Sequence, residues 1–156
     1  MPSSKVRLAA GIAAGISIAV FGSAALLAAP SDTITARQTN FKAMGQAMKG
    51  IVDEMKTPAP NMAVIRTNSD ALARAAPHVV GGFPRGTGPE AGVKTQALPI
   101  IWTRLPEFHR DAAAMVTATR GLQAAARSGD IARVRVAFGA TGGSCKACHD
   151  VFRLKE

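Results

Sequence analysis

The 156-residue sequence contains no tyrosine, one tryptophan and only six phenylalanines. So few rings leave little with which to stack on bases, and its net charge of +9 is spread without any block of like charge. Both features argue against a nucleic-acid partner. Two cysteines are too few for a disulfide-built scaffold. The length is about that of one domain, so a multi-domain machine is not expected. No internal repeat and no strand-like alternation of useful length is present, and an apolar share of 47% is too high for a disordered chain.

That apolar share is unevenly placed. Residues 8–29, LAAGIAAGISIAVFGSAALLAA, carry 17 apolar residues out of 22 and no charge. Without positions 1–29 the remaining share is about 43%, ordinary for a soluble domain. Lys5 and Arg7 precede the run, and small residues followed by Pro30, Ser31 and Asp32 close it. This is the layout of a secretory signal peptide over 1–29. Cleavage after Ala25 places Ser23 at the −3 position, whereas cleavage after Ala29 places Leu27 there. An uncleaved membrane anchor is the alternative, since the run is long enough to span a bilayer. Membrane association is expected only in that case. Both readings put the domain from residue 30 onward outside the cytoplasm, in the periplasm.

The rest reads as four helices. Ile34, Phe41, Met44, Met48, Ile51, Val52 and Met55 follow a three–four spacing that Pro58 and Pro60 end. A second helix is predicted over 61–76, with Met62, Ile65, Leu72 and Ala76 on one face. The Pro- and Gly-rich stretch 77–99 reads as a loop. Ile101, Leu105, Phe108, Ala112, Met115, Thr119 and Leu122 mark a third helix, with a kink or restart at Pro106. Ser128, Gly129 and Asp130 form a turn, and Asp130 is a good N-cap for the fourth helix. There Ile131, Phe138, Cys145 and Phe152 recur every seven residues, with Val134, Thr141 and Cys148 as companions. The expected fold is all-α, an antiparallel four-helix bundle with both cysteines on its buried seam.

Residues 144–149 read SCKACH. Cys-x-x-Cys-His is the attachment signature of c-type haem. On a helix, Cys145, Cys148 and His149 share one face, so two thioether bonds and an imidazole would meet the same flat group. Such attachment takes place outside the cytoplasm, where the leader would deliver the chain. Three other readings are weaker. A thioredoxin-type pair wants a βαβ setting and a helix N-terminus. A disulfide between helical positions three apart is geometrically poor. A zinc site would need Cys145, Cys148, His149 and either His78 or His109, with adjacent residues turned onto one small ion.

GDIARVRVAFGATGGSCKACHDVFR, residues 129–153, resembles the C-terminal helix of cytochrome c′, the class II c-type cytochromes. RQTNFKAMGQAM at 37–48 is similar to that family's first helix, and LPIIW at 98–102 to its third. The resemblance implies a cytochrome c′-like haem domain over 30–156 with one covalent haem c. It makes Cys145 and Cys148 the attachment residues and His149 the proximal iron ligand. Arg37 would lie near the haem propionates, Arg153 by the proximal face and Trp102 beside the haem. Phe152 stands where the family often has Tyr.

The resemblance also places Phe41 over the distal face of the iron. Low-spin relatives have Met there, and high-spin ones an apolar residue. Phe41 has no lone pair to offer, so a five-coordinate, high-spin iron under an apolar lid is expected. Met44, three residues on, is read as core packing. His78 and His109 are off the relevant stripe. Stable oxygen carriage would want a hydrogen-bond donor and peroxide cleavage an acid–base group, so an enzyme is not expected. Nitric oxide and carbon monoxide need neither. The expected partners are these gases and redox proteins, the latter drawn by cations such as Lys146. A low-spin electron-transfer cytochrome with a sixth protein ligand is the alternative. The family resemblance further implies a homodimer joined through the first two helices.

Overall fold

The computed structural model describes residues 29–155. The leader expected over 1–29 lies outside these residues except for Ala29. Six helices follow in order: α1 (Pro30–Met55), α2 (Met62–Ala75), α3 (His78–Gly81), α4 (Ile100–Thr103), α5 (Leu105–Ser128) and α6 (Ile131–Phe152). The four long ones, α1, α2, α5 and α6, make the antiparallel bundle that the apolar stripes predict. Helix α1 packs on α2, α2 on α5 and α5 on α6. Helices α1 and α6 do not pack closely on each other; a cavity lies between them.

Helix α1 starts four residues before the first apolar position of its stripe. Pro30 occupies the first turn, where its missing N–H is no loss, and Asp32 sits at the positive end of the helix dipole. Asn61 caps α2, its Oδ1 accepting from the backbone N–H groups of Ala63 at 3.0 Å and Val64 at 3.4 Å. The Pro106 expectation resolves as a restart. Arg104 leaves helical geometry at φ −121° and ψ 39°, and α5 begins at the next residue with proline in its first turn. Gly129 ends α5 in the left-handed region at φ 77°, a conformation that favours glycine.

Asp130 caps α6 as its position predicts, accepting from Ala132 N–H at 2.8 Å and Arg133 N–H at 3.3 Å. Asp130→Ala should therefore lower stability by about 1 kcal/mol, read as a shifted urea midpoint at unchanged slope.

The segment 77–99 has more structure than its composition predicts. It holds the single turn α3 and a 3₁₀ turn at Pro89–Ala91. The reason is burial: Val79 and Phe83 are pressed into the core at 4% and 8% exposure, and those two anchors organise the glycines around them. Among the described residues no strand forms. One isolated antiparallel bridge joins Ala97 to Arg153, with Leu98 N–H donating to Phe152 O and Leu154 N–H to Gln96 O. Around the rings of Phe83, Phe108 and Phe152 the core is largely aliphatic, with Ile34, Ile51, Ile65, Leu72, Ile101, Leu122 and Val134 fully buried.

Candidate haem site

The cavity between α1 and α6 has a volume of about 730 Å³, within the range that cofactors occupy. Helix α6 supplies one wall. Because it stays helical through Phe152, Cys145, Cys148 and His149 all line that wall. The cysteines are half-buried and form no disulfide. Burial pushes the Cys145 thiol up. Cys148 is pushed up to about 11, by burial first and then by the Asp111 carboxylate and Cys145. Both are neutral thiols at ordinary pH.

This sets a pH dependence. A raised thiol pKa leaves little thiolate below it, and the thiolate is the nucleophile. In haem-free protein, iodoacetamide alkylation of Cys148 should be slower than in a denatured control at pH 8, and its rate should keep climbing towards pH 11.

His149 stands at the open edge of the α6 wall. Burial of its inner side, then the Arg153 charge, hold its pKa below the usual imidazole value, with Asp150 opposing. The neutral ring that results keeps a nitrogen lone pair free for a metal. His78 and His109 are exposed and do not line the cavity, so neither is brought to the cysteines.

Helix α1 forms the facing wall with Phe41, Met44, Gly45 and Met48. Phe41 is half-buried, its ring edge-on to Phe83 at 6.3 Å between centroids. Met44 is buried, and its Sδ accepts a weak hydrogen bond from Asn40 Nδ2 at 3.9 Å. The same Asn40 amide donates to Ala75 O on α2 at 3.2 Å, so that sulfur contact belongs to helix packing. Helix α5 closes the floor with Phe108, Ala112 and Met115, and Phe152 adds an edge-on contact to Phe108 at 5.4 Å. Phe152 is 3% exposed in this apolar setting, where a tyrosine hydroxyl would need a partner of its own.

A polar strap, residues 82–97, runs along one rim. Arg37 reaches it from α1: its Nη1 donates to Thr87 Oγ1 at 2.9 Å and Gly82 O at 3.3 Å, and its Nη2 to Thr95 Oγ1 at 2.8 Å. The guanidinium also lies 4.5 Å from the centre of the Phe83 ring. A Cβ at Gly82 would sit 3.1 Å from that of Arg37, so glycine permits this approach. Gln38 Nε2 donates to Lys94 O at 2.8 Å, and Arg153 Nε to Gln96 Oε1 at 2.8 Å. The strap is thus tied to α1 at one side and to the end of α6 at the other.

Six of the seven site residues expected from the sequence meet at this cavity: Cys145, Cys148, His149, Arg37, Phe41 and Arg153. Trp102 does not. It stands one ring back, 6.3 Å from Phe83, with Nε1 donating to Phe83 O and Pro84 O. Its indole N–H holds the strap. Arg37 does line the cavity but is 5% exposed and bonded to neutral oxygens, with burial lowering its pKa and Glu90 offsetting part. The reading from sequence missed Gly45, Asp111 and the strap residues Lys94 and Thr95. Thr141 had a signal, since it shares the seam of Cys148, as had Phe108, Ala112, Met115 and Thr119 on the stripe of the third helix.

The residues fit a haem. Two thiols and a neutral imidazole share one face, the facing wall is apolar, and a buried guanidinium without a bonded carboxylate lies on the same cavity. A metal ion held by protein side chains alone fits less well: among the described residues no cluster of three or more His, Cys, Asp or Glu is placed to hold one.

A family model described as Cytochrome C' matches residues 32–153. Cytochrome c′ of Pararhodospirillum photometricum is 35% identical over 127 residues, covering 81% of this chain and 99% of that protein. The crystal structure of cytochrome c′ from Thermochromatium tepidum superposes with a TM-score of 0.77 at 29% identity, covering 81% of this chain and 97% of that one. A nitric oxide complex of a cytochrome c prime variant from Alcaligenes xylosoxidans superposes with a TM-score of 0.75 at 32% identity, covering 83% and 99%. The helical bundle, the Cys-x-x-Cys-His wall and these likenesses agree: the chain belongs to the cytochrome c′ family, c-type haem proteins with covalently attached haem c.

Proposed function

We propose that this protein is an exported haem protein that binds small diatomic gases at an iron left open on its distal side. The observation that carries this is the α1 wall. Phe41 occupies it with a ring that has no donor atom, and the nearby Met44 sulfur is engaged by Asn40. Haem c, when bound, supplies an iron that accepts one electron reversibly and holds a gas wherever no protein ligand fills its sixth position.

The chain's own residues would do the following. Cys145 and Cys148 tether the group covalently from α6, and His149 presents a neutral imidazole from the same face. Burial first, and then the Arg153 charge, favour the uncharged form of that imidazole. Phe41 excludes water and larger anions from the opposite side. Phe41, Met44 and Met48 offer no general acid or base, which favours reversible binding over peroxide chemistry. Arg37 adds a buried positive charge on the cavity that suits the carboxylates of a porphyrin. The nitric oxide complex of the Alcaligenes xylosoxidans protein supports the gas class by likeness. The leader-like residues 1–29 support a periplasmic location, and the family resemblance supports a homodimer through α1 and α2.

Absorption spectroscopy of the purified protein tests the reading. High-spin ferric and ferrous spectra, with a ferrous band that shifts on adding carbon monoxide or nitric oxide, are expected. A low-spin, methionine-type spectrum unmoved by carbon monoxide overturns it in favour of a one-electron carrier. The exposed Lys42, Lys94 and Arg153 at the cavity rim favour an acidic redox partner as a second role.

A further inference from the structure

The charged groups on the cavity are unevenly divided. Arg37, Lys42, Lys94 and Arg153 bring positive charge to it from α1, the strap and the end of α6. Against them, among the described residues that line the cavity, stands one carboxylate, Asp111 of α5. It belongs to the turn that also supplies Phe108 and Ala112 to the floor. Its side chain is 20% exposed, and its ion-pair partner is the neighbouring Arg110 at 3.6 Å, which is 70% exposed. A pair that long, with its cation out in solvent, is loose and screened. The negative charge is therefore poorly compensated where it faces the cavity. Its reach across to α6 is felt at Cys148, whose thiol it helps burial to raise. A half-buried aspartate inside a helix is no gain for the fold, because the position costs both helix propensity and hydration.

We infer that Asp111 tunes the reduction potential of the haem, its negative charge on the cavity floor favouring the oxidised iron. The inference rests on the haem that the family carries, and not on whether the sixth position is open. Reduction adds one electron to the iron and so removes one positive charge from the cavity. A carboxylate held nearby, in surroundings less polar than water, stabilises the more positive of the two states, which is the ferric one. The cations of the rim work in the opposite sense. Asp111 thereby sets how strong an electron donor is needed to bring the iron to its ferrous form.

The test is Asp111→Asn, which keeps the size of the side chain and removes its charge. In a mediator-coupled spectroscopic titration of the haem-loaded protein, the one-electron equilibrium should move towards the ferrous form by about fivefold. At about 59 mV per tenfold change for one electron, that is a rise of about 40 mV. Asp111→Glu retains the charge and should stay within about twofold of the parental equilibrium. A second readout needs no haem. In the haem-free protein at pH 8, Asp111→Asn should be alkylated at Cys148 about twofold to threefold faster, because loss of a neighbouring negative charge favours the thiolate. A parental or lowered potential in Asp111→Asn overturns the inference. A rise reproduced in full by Asp111→Glu also overturns it, since altered packing and not lost charge would then be the cause. Unchanged alkylation of Cys148 overturns it as well, because the carboxylate would not then act across the cavity.

Discussion

Phe41→Met should give a low-spin haem spectrum and weaken carbon monoxide binding about a hundredfold. Phe41 lines the cavity from α1, opposite the wall that carries Cys145, Cys148 and His149. Its neighbours are forgiving: it is half-buried and its close ring partner is Phe83 at 6.3 Å. An unbranched thioether fits such a place in several rotamers, some of which direct sulfur across the cavity. An internal ligand then competes with the gas. If only about 1% of molecules keep the position open, the apparent affinity falls by about that factor. The ferric spectrum and a carbon monoxide titration read both changes. A variant that stays high-spin and keeps parental affinity would mean that residue 41 does not face the iron.

Phe108→Ala is expected to remove about 3–5 kcal/mol of stability, a large fraction of the roughly 5–15 kcal/mol that holds a typical domain together. Phe108 is 2% exposed and is the hinge of an aromatic cluster, edge-on to Phe83 at 4.8 Å and to Phe152 at 5.4 Å. Those two partners belong to the strap and to the end of α6, so one ring ties together three parts of the chain. Its loss leaves a void that the closely packed rings around it can fill only in part. Urea unfolding of haem-loaded protein should show the lower midpoint, and Phe108→Leu should restore about half of the loss. An unfolding midpoint within experimental error of the parent would show that the cluster is dispensable.

The chemistry of the α6 wall was legible because it is local. Cys145, Cys148 and His149 sit at spacings that any helix resolves onto one face, and the seam from Ile131 to Phe152 identified the helix. The long helices were legible for the same reason: Ile51, Leu72 and Leu122 each belong to an apolar stripe at helical spacing and are fully buried. Contacts between distant segments were not. Arg37 and Thr95 lie 58 positions apart and Trp102 reaches back to Phe83 and Pro84, and no periodicity links them. Phe83 lies in the Pro- and Gly-rich stretch that reads as a loop, yet it is the ring on which the strap is organised.

The arrangement of the walls also governs when the site comes into being. Helix α1 opens the described chain and α6 closes it, and the cavity lies between them. During synthesis the N-terminal wall emerges first and the cysteine-bearing wall emerges last. Until then α1 has only α2 to lie against, and its Phe41 face has no opposite side. Pocket closure therefore awaits nearly the whole chain, a long loop to close before any reward from contact. That delay leaves Cys145 and Cys148 accessible at the moment a haem has to be joined to them.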